Sequence, residues 1–141
     1  METKEESRPD QTSPVWYEFR NMVYSERFDE AERLLSEVSG LRSMTNGCGE
    51  TALHFLAIEN DLEGVLWLQE RGFSIDTVDA FGEPVIFVVA QLGYKELFSW
   101  FVSKGANVRA KNRDGLDLIS HLRDYDKDDM ADWIETTFLR A

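Results

Sequence analysis

Glycine and tryptophan recur in this chain at one fixed interval. Gly49, Gly82 and Gly115 stand 33 residues apart, as do Gly72 and Gly105, and as do Trp67, Trp100 and Trp133. The same offset matches Leu53 with Ile86 and Ile119, Ala57 with Ala90, Val65 with Phe98, and Leu68 with Phe101 and Ile134. A period of this length marks a repeat protein, in which each unit is a supersecondary element that cannot bury its apolar face alone. Neighbouring units stack and share one core.

The local pattern inside and before the repeats is helical. Val15, Trp16, Phe19, Met22 and Val23 keep the three-and-four spacing of one helix face, and Phe28, Ala31, Leu34, Leu35 and Val38 do the same for a second helix. Two short antiparallel helices joined near Ser25 to Arg27 follow from this. Gly72 and Gly105 end helical segments where a residue with positive φ is needed. Gly49, Gly82 and Gly115 fall in turns before the next helix, and Pro84 is expected in a first helical turn, where its missing N–H costs nothing.

Thr51-Ala52-Leu53-His54 within this period resembles the ankyrin repeat, whose signature is Thr-Pro-Leu-His followed by a small residue between helices. The next copy begins Glu83-Pro84-Val85-Ile86. Arg71-Gly72-Phe73-Ser74-Ile75-Asp76 and Lys104-Gly105-Ala106-Asn107-Val108 resemble the family's helix end, glycine stop and extended arm. The resemblance is strong over residues 46–123 and weak over 15–43, where the helix pair fits but the loop glycines are missing. From Gly115 onward Asp117-Leu118-Ile119-Ser120 replaces the signature, as in a terminal cap. It implies an all-α ankyrin-repeat solenoid of about four helix-turn-helix units, two clear repeats between two degenerate caps. Residues 1–13, polar and without apolar period, are expected to be a disordered leader, and 14–141 a single domain.

Composition narrows the function classes. Fifteen Lys plus Arg against 27 Asp plus Glu leave a formal net charge of -12, which repels nucleic-acid phosphates and anionic lipid and favours a basic protein partner. Cys48 is the only cysteine, so no internal disulfide framework exists, and a reducing compartment fits. The first residues hold no apolar stretch of the signal-peptide kind, and the longest uncharged apolar run, Val85 to Ala90, is far short of a membrane span. A cytoplasmic protein is expected.

Few residues invite chemistry. His54 occupies the motif's own histidine position, where the resemblance implies a hydrogen bond between adjacent loops, and neither it nor His121 has a nucleophile or metal partner nearby in sequence. Cys48 sits at a turn tip with no adjacent cation to activate it. Gly47-Cys48-Gly49-Glu50-Thr51-Ala52 has a dinucleotide-type spacing, but no strand precedes it and the repeat register accounts for its glycines. Asp124, Asp126, Asp128, Asp132 and Glu135 match the oxygen positions of a calcium loop, yet Asp129 stands where its sharp turn requires glycine. The expected outcome is a helix capped by Asp126 or Asp128. The three tryptophans are expected to be half-buried packing residues.

These readings lead to a non-catalytic protein-binding module with no cofactor and no metal. Ankyrin-like stacks bind through turn tips and the exposed side of each first helix, which the resemblance maps onto Thr45, Gly47, Cys48 and Glu50 in one tip, Val78, Ala80, Phe81 and Glu83 in the next, and Lys111, Arg113, Asp114 and Leu116 in the third. The first-helix ends contribute Ile58, Glu59, Gln91, Leu92, Asp124 and Tyr125. Ile58, Val78, Phe81, Leu92 and Tyr125 are expected to form an apolar strip with an acidic rim. A sharper expectation is an inhibitor or immunity protein covering a basic site such as that of a toxin. The alternatives are an adaptor with a calcium-responsive acidic loop and an unrecognised enzyme.

Overall fold

Among the described residues every helix is too short to persist alone in water, so the architecture is set by how the helices cover one another. The computed structural model describes residues 12–139. The leader expected at residues 1–13 lies outside them as far as residue 11. Thr12 and Ser13 belong to the folded unit: Thr12 is buried, and the Ser13 hydroxyl accepts a hydrogen bond from the Val15 N–H at the start of the first helix.

Among the described residues eight α-helices follow in four packed pairs. The first pair is α1 (Pro14–Tyr24) and α2 (Phe28–Glu37), followed by a single 3-10 turn at Leu41–Ser43. Next come α3 (Ala52–Ile58) with α4 (Leu62–Glu70), α5 (Val85–Gln91) with α6 (Lys95–Ser103), and α7 (Leu118–Asp124) with α8 (Asp128–Ile134). A π-turn segment, Glu135–Leu139, continues α8. In the last three pairs the helix starts recur at the 33-residue offset found in the sequence. Each pair packs internally, and the first helices touch in the order α1, α3, α5, α7, so the pairs stack in a row.

The apolar positions of that period form one continuous core. It runs from Phe19 and Val23 through Leu53, Leu56, Val65 and Leu68, then Ile86, Phe98 and Phe101, to Leu122 and Ile134. Burying each such side chain contributes about 1.5–3 kcal/mol. Trp67, Trp100 and Trp133 each occupy the sixth residue of their helix. Trp67 is buried, stacked on Phe28 at 5.3 Å, with the Arg71 guanidinium 4.0 Å from its ring. The other two are half-buried, as their helical spacing suggests.

Caps fix where several helices begin. The Thr51 hydroxyl accepts from the His54 N–H (3.2 Å), Asp61 from Gly64 N–H (3.1 Å) and Asp117 from Ser120 N–H (2.8 Å), each satisfying a donor left over by the first turn. That bond holds the Asp117 carboxyl below the usual carboxylate range. Two expectations need correction. Pro84 is the cap residue in front of α5 and not its first helical residue; its extended backbone (φ -65°, ψ 144°) pairs with Val78 in an isolated bridge. The residue at the start of α8 is Lys127, without a side-chain cap, so neither Asp126 nor Asp128 serves there.

Candidate protein-binding surface

The tips between the pairs are built by three side chains in register, Asn46, Asp79 and Asn112. The Oδ1 of Asn46 accepts from Cys48 N–H (2.9 Å) and Glu50 N–H (3.0 Å). Asp79 Oδ1 takes the same bonds from Phe81 (2.9 Å) and Glu83 (3.0 Å), and Asn112 Oδ1 from Asp114 (3.0 Å) and Leu116 (3.0 Å). Such side-chain-to-backbone bonds replace a ladder and pin a tight turn. The sequence reading passed over these residues, although their 33-residue spacing was open to it.

Successive tips are tied to one another. The Ala80 N–H donates to the Cys48 carbonyl at 2.9 Å, and the Arg113 guanidinium donates to the Ala80 carbonyl at 2.8 Å. Farther along the arms, the Asn107 N–H donates to Asp76 Oδ1 at 2.9 Å. The close approach dictates glycine. A β-carbon on Gly49, whose φ is +77°, would lie 2.8 Å from the Ala80 side chain, and one on Gly82 would lie 2.7 Å from Arg113 Cβ. Packing between tips therefore accounts for Gly49 of the Gly47 to Ala52 segment.

Several of the residues mapped to the binding surface are exposed and apolar. Phe81 is 63% exposed at a tip, Val78 49% beside it, and Leu92 46% and Tyr125 53% at the ends of α5 and α7. Leu92 and Tyr125 are equivalent positions, each following its first helix directly. Tyr24, which the sequence reading did not single out, is 53% exposed at the end of α1. Glu59, Asp114 and Asp124 are exposed acids at neighbouring positions.

Others on that map have structural duties. Ile58 is half-buried and its carbonyl accepts from the Tyr94 hydroxyl at 2.9 Å. Leu116 is half-buried as well, whereas Lys111 is exposed and paired in an isolated bridge with Asp117. Glu83 and Gln91 hold His121: its Nε2 lies 3.0 Å from Glu83 Oε2 and 2.9 Å from Gln91 Oε1. Its Nδ1 lies 3.4 Å from the Asn112 amide nitrogen. An Nε2–H tautomer satisfies this set, donating to the two oxygens and accepting from the amide. Burial raises the Glu83 carboxyl above its usual range, opposed by His121.

His54 is the contrast. It is fully buried, yet among the described residues neither ring nitrogen has a hydrogen-bond partner. The inter-loop hydrogen bond that the resemblance implied is not made; the nearest approach is Nε2 to Asp79 Oδ2 at 4.0 Å. The fold nevertheless gives it companions, Glu50 from the same stretch of chain and Asp79 from the next tip. Donor atoms of Glu50, His54 and Asp79 all lie within 4.8 Å of one another. Burial lowers the His54 pKa, against the opposing pull of Glu50 and Asp79.

The C-terminal acids converge on a cation of the chain itself. The Arg123 guanidinium lies 3.3 Å from Asp128, 2.7 Å from Asp132 and 3.3 Å from Glu135, with Asp128 and Asp132 inside α8. Asp126 is at a left-handed turn position (φ 59°) between α7 and α8. Those carboxylates thus surround Arg123 on a helix and do not follow one another around a loop. Cys48 is exposed at its tip. Among the described residues no helix is long and apolar enough to cross a membrane.

No protein-family model matches the chain, and no curated protein matches it in sequence.

Proposed function

We propose that this chain is an ankyrin-type stack of helix pairs that binds another protein, without catalysis, through its turn tips and the adjoining ends of its first helices. The observation that carries the reading is the exposure of Phe81, Leu92 and Tyr125 at the tip and helix-end positions. Leu92 and Tyr125 stand at repeat-equivalent places, and Tyr125 stays exposed although its ring lies 4.8 Å from that of buried His121; aromatic anchors with a polar rim are what a protein interface uses. The net charge of -12 and the acids Glu59, Asp114 and Asp124 beside these anchors favour a basic partner. An inhibitor or immunity protein that covers a basic active site fits the same surface.

The experiment is affinity capture from the source lysate with the wild-type chain and with Phe81→Ala/Tyr125→Ala. The expected result is a stoichiometric basic partner, released as salt is raised and lost with the double variant. A partner captured equally by both proteins, or an acidic partner indifferent to salt, overturns the reading.

A further inference from the structure

We propose that Glu50, His54 and Asp79 form a binding site for a divalent first-row transition metal of the zinc type, clamping the first turn tip to the second. The three residues come from separate places. Glu50 ends the first tip, His54 lies in the first turn of α3, and Asp79 anchors the second tip. Their donor atoms converge to within 4.8 Å of one another. In a tetrahedral zinc site with bonds of about 2.1 Å, ligand atoms sit about 3.4 Å apart, so side-chain movements of about an ångström complete the coordination.

The imidazole gives the site its direction. A fully buried histidine with two unpartnered nitrogens is costly, because each desolvated polar atom forgoes a bond it would have in water. The next repeat shows how the fold closes an equivalent gap with its own atoms. There Phe87 stands at the position of His54, while Glu83 and Asn112 replace Glu50 and Asp79, and His121 enters from α7 to bond Glu83, Gln91 and Asn112. In the first repeat no described group does this for His54. Two carboxylates face it instead.

Chemistry selects the ion. The two carboxylates neutralise a dication, and their mutual repulsion in a chain of net charge -12 is relieved by it. One imidazole with two carboxylates suits zinc, cobalt or nickel better than calcium or magnesium, which take oxygen alone. The carboxylates are already oriented by neighbours. Asn46 donates from its amide to Glu50 Oε1 at 2.9 Å, and Asp79 Oδ1 is held by the Phe81 and Glu83 N–H groups, which leaves Oδ2 on the histidine side. Supporting bonds of this kind fix ligand orientation. The Asp79 side chain is 11% exposed, so solvent reaches the site and can fill the remaining coordination positions.

The test is calorimetric titration of the full chain, stripped with EDTA, with Zn²⁺ and separately Co²⁺, alongside thermal melts. Asp79→Asn is the informative variant, because its remaining carbonyl oxygen can still accept from Phe81 and Glu83 while the second ligand oxygen is gone. Glu50→Gln removes the other carboxylate, and Cys48→Ser removes the exposed thiol on the same tip. One ion per chain is expected, with a melting temperature raised by about 5 °C or more at saturation. Affinity should fall at least tenfold in Asp79→Asn and Glu50→Gln and stay unchanged in Cys48→Ser. If either carboxylate variant does not fold, a shift of the His54 ring-nitrogen resonances on adding Zn²⁺ to the wild-type chain decides instead. No heat with either ion, unchanged affinity in the carboxylate variants, loss in Cys48→Ser, or silent His54 resonances each overturn the site. None of these readouts depends on a protein partner, so the site and the proposed binding function stand or fall separately.

Discussion

A histidine enclosed without a hydrogen-bond partner makes the stability of this chain sensitive to mild acid. Burial is the main cause that lowers the His54 pKa, and the Glu50 and Asp79 carboxylates facing it only partly offset that. In the unfolded chain the imidazole takes up a proton near pH 6.5. Above that pH both states carry it neutral and it adds no pH dependence. As pH falls below 6.5 the unfolded state binds a proton that the folded state resists, so folding weakens. Urea midpoints measured in EDTA between pH 7.5 and 5 should therefore drop towards acid in the wild-type chain. His54→Gln should flatten that slope; a slope of equal size in the variant would show that other groups produce it. Phe87, at the same helix position one repeat later, carries no such group. The penalty is local to the first tip and not inherent in the fold.

At the scale of elements, the link between the two helices of each pair is a left-handed residue, and the chain fills it unevenly. Gly93 takes φ +78° there at little cost, whereas Asn60 (φ 60°), Asp126 (φ 59°) and Glu26 (φ 62°) occupy the equivalent place in the other pairs. Asn and Asp tolerate this region better than a longer side chain does. Glu26 gains nothing from it, and its neighbour Glu63 raises its pKa by direct repulsion. Glu26→Gly should stabilise the fold by about 0.5–1 kcal/mol, the relief of left-handed strain less the extra chain entropy of glycine. Asn60→Gly should change it by a few tenths at most. Chemical denaturation of the two variants side by side checks the contrast, and equal effects would mean that the strain is not where the backbone places it.

The same element scale shows what the sequence made legible. A fixed period with glycine stops locates helices whose starts recur at that interval, and α1 and α2 followed from spacing alone. What periodicity cannot reveal is which side chains meet across units. Glu83 and His121 are far apart in the chain and belong to different repeats, so their 3.0 Å contact has no local signal. Asp79 was hidden for the same reason: its role at His54 depends on the second tip lying against the first. The acids at Asp128, Asp132 and Glu135 looked like a series of ligands because spacing ignores Arg123, the cation they surround. Pro84 was misplaced by one residue, since its fixed φ suits both the residue before a helix and the first within it.

For the molecule as a whole, the row of first helices implies that stability passes from neighbour to neighbour. α5 touches α3 and α7, and α7 touches α5 and α8, while α1 is separated from α7 by two intervening helices. A stack of this kind has a stability close to the sum of its unit and interface terms, so damage at one interface should not spread evenly. Phe98 probes this well, being fully buried in α6, with its ring 6.0 Å from Trp133 and 5.4 Å from Phe138 in the final unit. Phe98→Ala should cost about 3–5 kcal/mol, a large share of the stability usual for a domain of this size. Hydrogen exchange by mass spectrometry should show protection falling first in α6 and α8 and least in α1, because the last unit loses its main aromatic contact while Phe19 keeps its stack on Phe73 at 5.7 Å. A uniform loss across all eight helices would mean that the chain unfolds as one indivisible unit, and that nearest-neighbour coupling, although visible in the packing, does not govern how the molecule opens.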